Sequence, residues 1–194
     1  TQKWTLFPYT TLFRSPKNAQ DFNRRRGLFG RVISRLSAHP LKTPLERTLV
    51  LISEGMMSSR LSFRLMRFWS AAEALYAEEN SRTSYDRLID RMVFAESEDQ
   101  AIVEKLKLKR AYELRNQYVH RGSIEKEDSS LIQNLRETIL RFAHYILFNG
   151  DDFQSHTELL EMIDPSNAPQ RVGGRLLAIE RRRLIVETGR HKSD

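Results

Sequence analysis

Apolar residues recur along this chain at steps of three and four, the pattern of helices that bury one face. From Ser59 onward, Leu61, Leu65, Phe68, Trp69, Ala72, Leu75 and Tyr76 fall on one face, with Ser58 or Ser59 able to cap the start. Trp69 and Tyr76 are expected in the core. A preceding helix is expected from about Pro44 through Leu49, Ile52 and Met56, with the proline suited to a first turn and Gly55 weakening the last. A third segment, Ser84 to about Ala95, gathers Tyr85, Leu88, Ile89, Met92 and Val93 on one side. A fourth helix is expected from about Asp99 to Val119. A fifth spans Ser129 to Phe148, carries Leu131, Leu135, Ile139, Phe142 and Ile146, and stops at Asn149-Gly150. A short sixth runs from about Ser155 to Ile163, ahead of Pro165. Nothing between residues 45 and 165 alternates as a strand would, and no repeat period is visible. The expected fold class is all-α, a helical bundle.

The two ends differ from this middle. Asn23 to Ser37, with three consecutive arginines, suits a short basic helix. Near Val172-Gly173-Gly174-Arg175 the pattern fits either a turn between short strands or the lead into a helix through Leu177 and Leu184. Thr5 to Ser15 reads Thr-Leu-Phe-Pro-Tyr-Thr-Thr-Leu-Phe-Arg-Ser, which matches one reading frame of a common sequencing adapter. Residues 1–15 are therefore expected to be adapter-derived and to make few contacts, which leaves room for an upstream domain before the true start. The expected organisation is residues 16–43 as a basic N-terminal segment, 44–165 as the helical domain, and 166–194 as a basic tail.

With 194 residues, 40% hydrophobic and 29% charged, the chain has enough apolar material for one core-forming domain plus extensions. It contains no cysteine, which excludes disulfides, thiol catalysis and cysteine-ligated metal sites. The longest apolar runs, such as Leu49-Val50-Leu51-Ile52, are too short to cross a bilayer, so a cytoplasmic protein without a membrane partner is expected. The formal net charge of +7 is uneven. Residues 16–48 carry eight basic side chains against two acidic, and residues 171–194 carry seven against three, whereas residues 49–170 carry fifteen against twenty. The basicity belongs to the ends, where it suits either nucleic-acid contact or a solvated tail.

Within the acidic middle one helix stands apart. Leu108, Ala111, Tyr112, Arg115 and Val119 follow at three- and four-residue steps, so Arg115 interrupts a stripe expected to face inward. A guanidinium stays charged, and a half-buried one needs a carboxylate or a phosphate. Five residues on comes His120, then Gly122 as a helix stop. Lys105, Lys107, Lys109, Arg110, Arg115 and Arg121 oppose only Glu113 across positions 105–121.

Arg115-Asn116-Gln117-Tyr118-Val119-His120-Arg121-Gly122 resembles the Arg–four-residue–His motif of HEPN domains, particularly the ApeA-like branch, in which a polar residue follows the Arg and a Gly the His. Phe68-Trp69-Ser70-Ala71-Ala72-Glu73-Ala74-Leu75 is similar to the early helix of that branch. The resemblance covers roughly Pro44 to Gly150. It implies a HEPN-like bundle, a homodimer with the motif lining a shared cleft, and metal-independent endoribonuclease activity of the kind found in toxin–antitoxin and antiphage defence systems, with a cognate antitoxin as a further partner. No cofactor is implied. In that chemistry the 2′-hydroxyl of the RNA attacks the adjacent phosphate. His120 would transfer protons, Arg115 would hold the phosphate, and Asn116 would orient one or the other. Lys109, Arg110 and Arg121 would contact RNA.

A second class of function fits the same residues: a non-catalytic helical module binding RNA, a nucleotide or a partner protein. On that reading Glu73 is structural, pairing with Arg115 or its neighbourhood, and His120 merely complements the helix dipole. Other constellations fail. His39, His144, His156 and His191 lack metal-ligand spacing, and Gly173-Gly174 lacks the rest of a phosphate loop. Asp151-Asp152 reads as the cap of the next helix, and Arg181-Arg182-Arg183 as a solvated face.

Overall fold

The computed structural model describes residues 19–79, 83–94, 98–122, 128–150 and 153–166. The expectations for residues 1–15, Asp151-Asp152, Val172-Gly173-Gly174-Arg175 and Arg181-Arg182-Arg183 lie outside the described residues. Seven α-helices follow in order: α1 Ala19–Ala38, α2 Lys42–Met57, α3 Leu61–Tyr76, α4 Tyr85–Met92, α5 Glu98–Arg121, α6 Ser129–Asn149 and α7 His156–Ile163. Among the described residues there is no strand, and no helix is long and apolar enough to cross a membrane. The all-α class is as the periodicity implies.

Helix α3 is central, packing against α2, α4, α5 and α6. Its Leu65, Phe68, Trp69, Ala71, Ala72, Leu75 and Tyr76 are all buried, and Tyr76 stacks on Phe142 of α6 with ring centroids 4.9 Å apart. The closest pairing is the antiparallel α2–α3 hairpin, where Gly55 lets the helices approach. A Cβ there would stand 2.5 Å from the Phe68 ring, so this glycine is a packing requirement and not simply a weak last turn. Neither Ser58 nor Ser59 caps α3. Arg60 holds the cap position without a side-chain bond, and the Ser58 hydroxyl instead accepts from the Arg60 N–H at 3.1 Å. Ser84, Asp128 and Ser155 do cap α4, α6 and α7.

The bundle reaches back before Pro44. Val32 and Leu36 of α1 and Leu41 are buried in the same core as the other helices. Arg35 donates through Nε to the Leu147 carbonyl at 3.1 Å, covering the last turn of α6. Buried His39 accepts at Nδ1 from the Leu41 N–H and donates from Nε2 to the Ile146 carbonyl, both at 3.0 Å. One partner can only donate and the other can only accept, so Nδ1 is the accepting nitrogen and Nε2 the donating one. The second half of the basic N-terminal helix is thus a structural member of the fold.

One buried group escaped the pattern of apolar positions. Arg91 of α4 and Asp164, just after α7, each leave only 1% of the side chain exposed and pair at 2.7 Å. Arg91 also donates to Glu78 at 2.8 Å and to the Tyr76 carbonyl at 2.9 Å, and Arg87 joins Asp164 from the surface. Burial on its own would raise the Asp164 pKa. Hydrogen bonds from the Ser166 hydroxyl and N–H and from Arg91 and Arg87 outweigh it and hold the carboxyl far below the ordinary aspartate value.

Candidate functional site: the C-terminal turns of α5

Helices α4 and α5 run antiparallel, and their charges interlock. Lys105 pairs with Asp90, and Lys109 with Asp86 at 3.5 Å. One helical step further, Tyr85 stacks on Tyr112, with centroids 4.4 Å apart and planes 7° from parallel. Tyr112 in turn leans on Trp69 of α3 at 5.2 Å. Tyr85 is the first residue of α4, so α4 stops covering α5 there. At 100° per residue, Lys105, Lys109, Tyr112, Asn116 and His120 form a single line along α5. Asn116 and His120 carry that line on past the end of α4.

Arg115 lies beside the line and is half-buried. Its Nη1 donates to Asn116 Oδ1 at 3.0 Å. Its Nε is shielded from solvent and donates to no described group. The expected pairing of Arg115 with Glu73 is not made: Glu73 is half-buried on α3 and forms no ion pair with a described residue. The structure therefore joins Arg115 to Asn116. It leaves His120 exposed one turn beyond, without a hydrogen bond to either. Helix α5 ends as the glycine implies. Gly122 adopts φ +70°, a left-handed conformation that favours glycine, and its N–H closes on the Tyr118 carbonyl at 2.8 Å.

The inward face of α5 keeps Leu108 and Ala111 of the expected stripe but is turned toward Leu114. Leu108, Ala111 and Leu114 are buried, whereas Tyr112 is half-buried and Val119 is 49% exposed. Arg115 consequently sits at the border of the core. The local excess of basic residues is also smaller in space than along the chain. Beyond the two lysine pairs with α4, Lys107 bonds Glu104 at 2.8 Å, and Arg110 bonds Glu113 at 2.9 Å on the exposed surface. Of the expected RNA contacts, Lys109 and Arg110 thus already engage carboxylates, and Arg121 lies exposed at the helix end next to His120. A four-residue spacing of acids at 86 and 90 facing one of lysines at 105 and 109 was the available sequence signal for this seam.

Among the described residues no three His, Asp or Glu side chains converge to hold a metal ion. The chain matches no protein-family model, no curated protein sequence and no solved structure.

Proposed function

We propose that the chain is a HEPN-type, metal-independent endoribonuclease acting as a homodimer, with its active site at the end of α5. The observation that supports it best is the pairing of Arg115 with Asn116 one turn before exposed His120. Among the described residues the guanidinium makes a single side-chain hydrogen bond, to Asn116, which suits it to grip a phosphate and to offset charge building on its oxygens. His120 faces solvent, where a substrate can reach it. In the proposed reaction the His120 imidazole takes the proton from the 2′-hydroxyl, whose oxygen attacks phosphorus as the P–O5′ bond breaks, and the leaving 5′-oxygen takes a proton from an imidazolium or from water. The product ends are a 2′,3′-cyclic phosphate and a 5′-hydroxyl, and DNA, which lacks the nucleophile, could bind but not react. Exposed Val119 beside the site suits contact with a second copy, which light scattering would register as twice the monomer mass.

The test is cleavage of mixed RNAs in EDTA. His120→Ala is expected to lower the rate by about 10²–10⁴-fold while leaving binding nearly intact. Arg115→Ala should weaken both, and Arg115→Lys should not restore them fully, because an ammonium lacks the planar fork. Cleavage that requires magnesium, or that persists in His120→Ala, would leave the interaction module in front. That second reading draws its own support from the carboxylates already engaging Lys105, Lys109 and Arg110, which reduce the cations free to hold a long polyanion.

A further inference from the structure

The geometry points to Tyr85 as a stacking platform for an unpaired base of a single-stranded RNA whose phosphate lies on Arg115, an assignment that rests on the RNA reading above. Tyr85 is 41% exposed although one ring face is covered by Tyr112 at 4.4 Å and 7°. The surface it offers is therefore the opposite face and the edge of the ring. The ring is also stiffly backed. Tyr112 stands behind it, and buried Trp69 behind Tyr112, so the stack is anchored in the core through α3. A rigid aromatic face at the surface binds bases of any identity, since each has a π-face, and loses little side-chain entropy in doing so.

Placement supplies the rest. Tyr112 lies three and four residues before Arg115 and Asn116 on α5, about 5–6 Å away between β-carbons. A strand crossing the end of α4 onto the last turns of α5 would thus meet the Tyr85 ring immediately before the Arg115–Asn116 pair and His120. Of the neighbouring charges, Asp86 and Glu113 disfavour RNA; Lys109 partly neutralises the first at 3.5 Å and Arg110 the second at 2.9 Å. Duplex RNA keeps its bases stacked internally, so the platform selects unpaired segments.

The decisive experiment uses the full chain and a single-stranded, fully 2′-O-methyl RNA oligomer containing 2-aminopurine, which cannot be cleaved. Wild type should quench the 2-aminopurine on binding. Tyr85→Leu keeps Tyr112 covered but has no π-face, and should bind about 5- to 150-fold more weakly with no quenching. Tyr85→Trp should bind at least as tightly as wild type. If Tyr85→Leu does not fold, the comparison falls to Tyr85→Phe against Tyr85→Trp: tighter binding by Trp supports the platform, and equal binding with no quenching in either overturns it. Unchanged affinity and quenching in Tyr85→Leu, with Arg115→Ala still weakened, would overturn the platform and leave the RNA reading standing. No binding by wild type would overturn both.

Discussion

Two arginines on neighbouring helices meet opposite fates. Arg91 is enclosed, and its charge is answered by Asp164, Glu78 and a backbone carbonyl. Among the described residues Arg115 reaches only a neutral amide. The first arrangement is structural: removing one member of a buried pair strands the other charge in a poor solvent, at a cost of roughly 3–5 kcal/mol. Asp164→Asn and Arg91→Met should therefore each lower the stability read from urea denaturation by about that much, with the double variant Arg91→Met, Asp164→Leu recovering a substantial part. Neither Arg91 nor Asp164 stood out along the chain, because a charge three residues from Leu88 reads as the polar edge of a helix until its partner arrives from 73 residues away. Arg115 was legible because five spaced positions made it an interruption, yet its neighbour Asn116, not Glu73, turned out to hold it.

At the level of helices, local periodicity fixed most boundaries to within two or three residues. The α6 helix expected from Ser129 to Phe148 runs Ser129–Asn149, and the one from Ser155 to Ile163 runs His156–Ile163. Spacing identifies an apolar face but cannot say how two helices share it. For α5 the inward face keeps Leu108 and Ala111 of the expected stripe and turns toward Leu114, since α4 takes the Lys109–Tyr112 side for ion pairs and ring stacking. Gly55 makes the same point in the α2–α3 hairpin. An alanine there gains roughly 1 kcal/mol of helix propensity. It also drives a methyl group into the Phe68 ring and against the Arg67 side chain, an overpacking cost of about 1–3 kcal/mol. Gly55→Ala is expected to be neutral to destabilising by up to about 2 kcal/mol in chemical denaturation, and pairing it with Phe68→Leu should relieve the loss.

Across the whole molecule, titration couples these sites to acid. His144 is partly buried, which disfavours its charged form and lowers its pKa below 6.5. As pH falls through that range the unfolded chain takes up a proton sooner than the folded one, so stability starts to drop. For Glu104, burial raises the pKa, but hydrogen bonds from Lys107 and Asn134 and the charges of Lys107 and Arg141 lower it further. Glu104 and Asp164 therefore add stability that is present above their unfolded values, near 4.5 and 3.8, and is lost below them. Denaturant midpoints measured from pH 8 to pH 3 should decline in two stages, gently below about 6.5 and steeply below about 4. His144→Phe should remove the first stage, and Asp164→Asn should flatten the second.

The clamps that close this bundle join residues remote along the chain: Arg35 to Leu147, His39 to Ile146, and Arg91 to Asp164. Contacts between such distant segments carry the entropic cost of closing a long loop, so they are expected to form late in folding. Interactions made that late are largely absent from the folding transition state, so they slow its reversal more than they speed its approach. The paired charges at the end of α7 and the hydrogen-bonded imidazole at the end of α1 then govern chiefly how long a folded molecule lasts before it opens, and much less how quickly it forms.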